Sequence, residues 1–582
     1  MDAPFCLFDD ARPDSEAGAL LFESPREVVV AERLGQVRPA LERLRTALAE
    51  GNYAAGYLGY EAGHALDPAL EASARQGDRP LLWFGLFDAP QRLSKADIED
   101  LLSDREGRVA SPVPRIAEAK YVAAVERVRE ALFAGDYYQA NLTFQNDVAV
   151  GGSALGLYRA LRSHGTGGWG GVLATESYEL ISVSPEQFFK VENGCLSAKP
   201  MKGTAPRGES PEIDRKLAKE LAADEKQRAE NLMIVDLLRN DMARVAVPGT
   251  VRVPKLFAVE TYPTVHQMVS EIEAELAPGM TAVDAIEKLF PCGSVTGAPK
   301  IAAIKALREL EPEPRGAYTG SMGWMSPNGD AAFNVMIRTL ERVAGSSQAR
   351  LGLGSGLVVD SVPRHEWAEC RLKGKFVEDA ASEFDLIETM RYDPEEGIIA
   401  LEAHLLRMKE AAAALGFAYD RHDARNELQA ATFGKPDVSL VRLLASRTGA
   451  MAIEVRPLGD PPTEPVSVEV VPMEVEPGDF RLDYKTTDRA FYDDPRKTSE
   501  AHEVVFERAD GTITEGSRSS VFVERDGTLV TPPRSAGLMP GVFRQGMIDE
   551  GKAVEGDVTR ADLANGFFIG SSARGLLAAR LV

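Results

Sequence analysis

The apolar and polar positions of this chain follow two periods, and the switches between them outline its elements. A helical period over Val37 to Ala49 stands among short apolar runs that read as strands: Leu20-Leu21-Phe22, Tyr57-Leu58-Gly59-Tyr60 and Leu81-Leu82-Trp83-Phe84. A Pro-containing joint at Ala110 to Arg115 precedes a predicted helix over Ala117 to Phe133. Strands are expected from about Leu142 to Ser197, ending in a loop that carries Lys202. A long helix is predicted over Pro211 to Leu238, and helices on both sides of the turn Pro291-Cys292-Gly293-Ser294 within Val283 to Leu310. Met322 to Asp360 alternates as antiparallel strands around a hairpin-type turn at Pro327-Asn328-Gly329-Asp330, and a helix over Pro363 to Lys375 closes the unit. The pattern restarts near Val377, which predicts one unit over residues 1–376 (1–110 its N-terminal part, 111–376 its core) and another over 377–582.

A length of 582 residues suits several domains rather than one, and 44% hydrophobic with 27% charged residues is ordinary for a globular chain. The net charge of -23 argues against nucleic acid or an anionic membrane as the main partner, but not against small anions held by local Arg and Lys. Cys6, Cys195, Cys292 and Cys370 lie far apart without metal-ligand spacing, as in a reduced cytoplasmic protein. Met1 to Asp14 shows no signal-peptide pattern, and no apolar run approaches the ~18 residues of a membrane span. A cytoplasmic location is expected.

Lys202, in Ala198-Lys199-Pro200-Met201-Lys202-Gly203-Thr204, reads alone as a solvated charge; with a carboxylic acid beside it, such as Glu186, it becomes a nucleophile and acid pair. Glu366, Glu369 and Lys373 share one helical face, and Glu230 borders an apolar stripe through Met233, Ile234, Leu237 and Leu238. Converging carboxylates with waters describe a magnesium site, whereas the same acids read singly are a solvated face. The runs Asp136 to Thr143, Ser184-Pro185-Glu186, Lys199 to Arg207, Ala229 to Asp241, Tyr262-Pro263-Thr264-Val265-His266-Gln267 and Gly293 to Lys300 follow in that order. Together they resemble the chorismate-utilising enzymes over residues 1–376. The resemblance implies an α+β fold with a chorismate-binding α/β sandwich of large antiparallel sheets. It implies Mg2+ on Glu230, Glu366 and Glu369, and substrate contacts from Gln139, His266, Thr296, Tyr318, Arg338, Gly356 and Lys373. Gln139 stands where isochorismate- and salicylate-forming relatives carry a water-activating lysine, which favours amination. Lys202 stands where anthranilate synthases typically carry alanine and aminodeoxychorismate synthases lysine. On that reading Lys202 attacks C2 of chorismate while Glu186 protonates the leaving C4 hydroxyl, and ammonia then enters at C4. No glutaminase motif is present in the sequence, so ammonia is expected from a separate glutamine amidotransferase subunit.

The remainder offers the parts of a pyridoxal phosphate site: Lys485 for the cofactor aldehyde, Glu515 for its ring nitrogen, and Arg407 with the backbone of Gly541-Val542-Phe543 for its phosphate. With Phe384 to Arg391, His404 to Arg407, Tyr484 to Thr487, Thr514 to Phe522 and Gly537 to Arg544, residues 384–582 resemble fold-type IV enzymes, aminodeoxychorismate lyase and its aminotransferase cousins. The resemblance adds Ser572 at the phosphate and, since such enzymes are usually dimers, a homodimer through this domain. Two features depart from it: the domain begins almost at Glu388-Thr389, without the usual first strands, and Ser520 replaces a common asparagine. The fusion implies two consecutive steps, amination of chorismate and loss of pyruvate to give 4-aminobenzoate. The competing readings are an anthranilate synthase joined to a branched-chain or D-amino-acid aminotransferase-like domain, and an inactive ligand-binding protein.

Overall fold

The computed structural model describes residues 2–12, 15, 17–75, 77–165, 167–262 and 265–582. Met1 and Asp14 of the amino-terminal stretch, and Pro263 and Thr264 of the Tyr262 to Gln267 run, lie outside the described residues.

Among the described residues, those before Leu386 build two large antiparallel sheets. One runs from Gly297–Ala298 through Gln139–Gly152, Gln348–Leu357, Thr339–Val343, Tyr178–Ser184 and Trp169–Ala174 to Phe5–Asp9, Ala19–Glu23 and Gln91–Leu93. The other runs from Met201–Pro206 through Val265–Glu275, Cys195–Lys199, Gln187–Glu192, Ala331–Asn334, Ser321–Met325 and Tyr53–Leu58 to Leu82–Phe87 and Glu27–Ala31. Their inner faces meet in a core of Cys6, Phe22, Tyr57, Trp83, Leu173, Leu180 and Met322. Helices cover the outer faces: Leu34–Ala49, Glu225–Ala243 and Ala282–Leu289 on one sheet, Glu118–Ala134, Ala154–Arg162 and Lys300–Leu310 on the other. The first 110 residues are shared between both sheets rather than set apart.

Local chemistry explains where the sequence pattern misleads. The long helix expected over Pro211 to Leu238 is two, Pro211–Ala223 and Glu225–Ala243. Asp224 leaves helical geometry and its carboxylate accepts the Gln227 N–H, capping the second helix. The strands Arg252–Thr261 and Val265–Glu275 were not among the expected elements, although Ile272 and Ala274 alternate with Glu271, Glu273 and Glu275 along the second. Lys202 lies not in a loop but on the strand Met201–Pro206, whose pairing slips between Met201 and Thr204. Gly203 there adopts φ 101°, open to glycine at little cost, and this irregular stretch resembles a loop in sequence.

From Leu386 onward the chain forms two further sheets. A four-stranded one (Gly397–Ile398, Leu386–Asp393, Ser439–Ala445, Met451–Pro457) carries the helices Leu401–Leu415 and Arg421–Thr432. An eight-stranded one, partly parallel, includes Ile513–Gly516, Ser520–Arg525 and Phe567–Ser571. A cavity of about 580 Å³ lies between them, lined by Ile387, Thr389 and Leu440 from the first sheet and Glu515, Ser520 and Ile569 from the second. No helix among the described residues is long and apolar enough to cross a membrane.

The first unit depends on close packing of its aromatic rings. Phe333 is fully buried and stacks on Phe189 with ring centroids 5.1 Å apart. Phe333→Ala is expected to destabilise that unit by about 3–5 kcal/mol, through lost burial and the void left behind. A urea titration of the full chain, followed by near-ultraviolet dichroism, checks this; an unchanged midpoint contradicts it.

Candidate active sites

Lys202 lies on the strand Met201–Pro206 of one sheet, and Glu186 in the link just before the strand Gln187–Glu192 of that sheet. Gln139 and Gly356 lie on the paired strands Gln139–Gly152 and Gln348–Leu357 of the other. The Ser184 hydroxyl accepts the Glu186 N–H (3.2 Å) and donates to the Val335 carbonyl (2.6 Å), which fixes the backbone at Glu186. The Glu186 side chain is buried and accepts from Ser294 Oγ at 2.7 Å. Burial pushes its pKa up to about 7, against the opposing pull of the Ser294 hydrogen bond and of the Lys202 and Lys373 charges. Glu186 therefore holds a proton near neutrality, as a general acid requires.

Lys202 Nζ stands 3.3 Å from Glu230 Oε2. A Cβ on Gly356 would lie 3.0 Å from that nitrogen and 2.8 Å from Gln139 Nε2, so both side chains close over a bare backbone. Gln139 is buried and its Oε1 has no hydrogen-bond partner among the described residues. Lys373 Nζ donates to the Gly354 carbonyl at 2.9 Å and pairs with Glu369 at 2.8 Å. Lys202, Lys226 and Lys373 all act on Glu369, and Lys226 feels both Glu230 and Glu366.

The expected magnesium ligands Glu230, Glu366 and Glu369 lie among lysines: Glu230 pairs with Lys202 and Glu369 with Lys373. Among the described residues no three His, Cys, Asp or Glu groups are gathered as a metal site.

Two of the expected substrate contacts, His266 and Thr296, have protein partners in this structure. His266 is buried, with Nδ1 3.0 Å from Thr261 Oγ1 and Nε2 2.9 Å from Asp214 Oδ1. Both ring nitrogens are thus engaged in tying helix Pro211–Ala223 to the sheet. Thr296 is wholly buried and turns its hydroxyl to the Cys292 and Gly293 carbonyls, shaping the loop that carries Ser294. Tyr318 lies where a Cβ on Gly352 would be 2.1 Å from its ring. Arg338 has φ 50° and no ion pair among the described residues, and burial lowers its pKa. An unpaired buried guanidinium suits an incoming carboxylate.

In the second unit, the approximately 580 Å³ cavity gathers Lys485, Arg407, Glu515, Val542, Phe543 and Ser572. Lys485 Nζ makes no hydrogen bond or ion pair among the described residues. Burial brings its pKa down to about 7, with Arg407, Arg489 and Arg442 adding to the fall and Glu388 opposing it. Glu515 Oε1 accepts from the Tyr492 hydroxyl and from the Met539 N–H (2.7 Å), and burial raises its pKa to about 7. Arg407 donates to Glu388 through Nε (2.7 Å) and Nη2 (2.6 Å), and to the Pro540 carbonyl through Nη1 (2.9 Å). Two of its five N–H groups stay uncommitted. The helix Val542–Asp549 begins at the cavity, so the first-turn N–H groups of Val542 and Phe543 lack intrahelical acceptors. A free amine of low pKa, a buried carboxyl and a donor-rich helix end fit pyridoxal phosphate.

Sequence reasoning missed three partners: Ser294 for Glu186, Tyr492 for Glu515, and the Glu388–His404 pair (2.7 Å) behind Arg407. Ser294 stood within a quoted run, whereas nothing in the sequence links Tyr492 to Glu515.

Comparison with known proteins agrees with this division. The sequence model for chorismate binding enzymes matches residues 5–379. The chain belongs to this family. The model for class IV amino-transferases matches residues 385–582. Aminodeoxychorismate synthase component 1 of Bacillus subtilis (strain 168) is 38% identical over 290 residues, 50% of this chain and 60% of that protein. Anthranilate synthase component 1 of Methanothermobacter thermautotrophicus is 40% identical over 270 residues, 46% of this chain and 58% of that protein. The chain thus spans about three fifths of the length of these two relatives. Anthranilate synthase component I from Streptococcus pneumoniae TIGR4 superposes with a TM-score of 0.53 at 26% identity, covering 65% of this chain and 92% of that structure.

The raised Glu186 pKa gives a direct expectation. Its carboxyl band, isolated as the infrared difference between the protein and Glu186→Gln, should titrate near pH 7; a midpoint near the ordinary 4.5 contradicts the assignment. Because the folded value lies above the unfolded one, this group's contribution to stability is complete below about pH 4.5 and declines as pH rises through 7.

Proposed function

We propose that this chain makes 4-aminobenzoate from chorismate in two steps. Residues 1–376 aminate chorismate to 4-amino-4-deoxychorismate with ammonia from a separate glutamine amidotransferase subunit, and residues 377–582 eliminate pyruvate from that product. The observation that carries the reading is Lys202 beside Glu230 in one cluster with a protonated Glu186. An alanine there, as in the anthranilate synthases of the resemblance, would offer no nucleophile.

In the first step the Lys202 amine must be neutral to attack, and Glu230 at 3.3 Å is the acceptor placed for its proton. The amine forms a bond to C2, the two ring double bonds shift from C1–C2 and C5–C6 to C1–C6 and C4–C5, and the C4–O bond breaks as Glu186 delivers its proton, releasing water. Ammonia then bonds to C4 and the bond from C2 to Lys202 breaks, restoring the lysine. Gln139 Oε1 is positioned to accept a substrate hydroxyl proton, and Arg338 with Tyr318 to hold the enolpyruvyl carboxylate. Glu230, Glu366 and Glu369 would hold a magnesium ion once Glu230 and Glu369 exchanged their lysine partners for it.

In the second step, bound pyridoxal phosphate supplies the electron sink for a carbanion at C4. Lys485 would hold its aldehyde carbon, Glu515 its ring nitrogen, and Arg407, Val542, Phe543 and Ser572 its phosphate. Lys485, with its pKa near 7, is then suited to take the C4 proton at neutral pH. Tyr492 and the Met539 N–H hold Glu515 in place. Aromatisation of the ring drives the loss of pyruvate.

Chorismate, Mg2+ and ammonium supplied to the full chain with pyridoxal phosphate should yield 4-aminobenzoate and pyruvate by mass spectrometry. Anthranilate as the product would overturn the first assignment, and amino-deoxychorismate that persists without pyruvate the second. Lys485→Ala should abolish pyruvate release and the protein-bound cofactor absorbance while leaving chorismate amination within about twofold; persistence of that absorbance contradicts the role of Lys485.

A further inference from the structure

The segment that carries Lys485 rests on the first unit. Strand Gly107–Val109 pairs with Gln139–Gly152 so that Arg108 faces Gly151, and the Ala110 N–H continues the ribbon to the Ala149 carbonyl at 2.8 Å. Alternate positions of a strand share a face, so Arg108, Ala110, Ala149 and Gly151 form one face of this ribbon. Ala110 and Ala149 are almost wholly buried, and they belong to the apolar core of the second unit, with Phe384, Leu386 and Phe480. Gly151 has no room for a side chain: a Cβ there would lie 2.2 Å from Asp479 Oδ2. A Cβ on Gly478 would lie 1.9 Å from the Gly345 carbonyl oxygen, and Ser347 Oγ donates to Asp483 Oδ2 at 2.5 Å.

Ion pairs extend this contact along the segment. Arg108 Nη1 stands 3.7 Å from Asp488 Oδ2, a buried oxygen with no hydrogen-bond partner among the described residues. Arg481 holds Asp479 through Nε (2.9 Å) and Nη2 (2.8 Å) and approaches Asp488 Oδ1 at 3.7 Å. Lys485 is thus bracketed in sequence by residues fixed against the first unit. Arg481 also lies 4.9 Å over the Phe491 ring, Phe491 packs on Tyr492 at 4.1 Å, and the Tyr492 hydroxyl donates to Glu515.

We infer that the ribbon face Arg108–Ala110–Ala149–Gly151 of the chorismate-binding unit is the bed that orders residues 479–492, so that cofactor capture by Lys485 depends on positioning residues of the other unit. This rests on the reading of Lys485 as the cofactor lysine. It also gives a physical reason why the second domain can begin almost at Glu388-Thr389: its core is completed by Ala110 and Ala149. Without the bed, the segment must be ordered when the cofactor binds, and the affinity falls by the fraction of molecules already in the competent arrangement.

The test uses the full chain freed of cofactor and titrated with pyridoxal phosphate, with capture read from the cofactor's absorbance. Gly151→Leu should weaken binding about tenfold by reducing the competent fraction to about a tenth. Arg108→Ala should weaken it about threefold, as for a half-exposed ion pair, and Arg108→Lys should restore it. Ammonia-dependent consumption of chorismate should be unchanged in all three, which reports that the first unit is folded. If Gly151→Leu loses that activity too, Arg108→Ala and its lysine rescue decide the matter. Parent-like cofactor affinity in Arg108→Ala, or a loss that Arg108→Lys does not restore, overturns the inference. Failure of the unsubstituted protein to capture the cofactor overturns the reading of the second site instead.

Discussion

Lys202 and Gln139 approach each other because Gly356 lies between them without a side chain. Any Cβ at Gly356 would come within 3.0 Å of the lysine nitrogen and 2.8 Å of the glutamine amide nitrogen. Both large sheets contribute here, one Lys202 and, from the link leading into it, Glu186, the other Gln139 and Gly356. Everything proposed for the first reaction depends on that close approach. The lysine reaches Glu230, Glu186 stays close enough to feel its charge, and Gln139 Oε1 has no hydrogen-bond partner among the described residues.

Both sites set protonation states by burial. In the first, the acid Glu186 is kept protonated near neutrality, so it can give a proton. In the second, the base Lys485 is held near neutrality from above, so it can take one. The same desolvation acts on groups of opposite charge and prepares each for its half of the chemistry. Neighbouring charges then trim the effect: lysines moderate Glu186, whereas arginines depress Lys485 further. The shared ribbon joins the two units by close packing at Gly151 and by the ion pair of Arg108 with Asp488.

Much of this was legible in the sequence where chemistry is carried by local runs. The helices at Leu34–Ala49, Glu118–Ala134 and Pro363–Lys373 followed from periodicity, and the cavity residues Lys485, Glu515 and Arg407 from motif order. What escaped was non-local. The Glu186–Ser294 and Tyr492–Glu515 contacts span long stretches of chain, and no local pattern predicts which hydroxyl meets which carboxyl. The break at Asp224 was hidden because no Gly or Pro marks it between the two helices. The engagement of His266 by Thr261 and Asp214 was hidden because a motif position says nothing about which way a ring faces. The pairing of Glu230 with Lys202 was hidden because the two residues come from a helix and a strand distant in sequence.

The claim at the centre of this account is that the Lys202 amine bonds to the substrate, rather than serving as a fixed charge. The full chain, mixed with chorismate and Mg2+ without any ammonia source and quenched in acid, can be digested and its Lys202 peptide weighed by mass spectrometry. The account predicts a fraction of that peptide heavier by chorismate less one water, absent in Lys202→Ala, and discharged when ammonium is added before the quench. A Lys202 peptide that stays unmodified, together with Lys202→Ala protein that aminates chorismate at the parent rate, would contradict it.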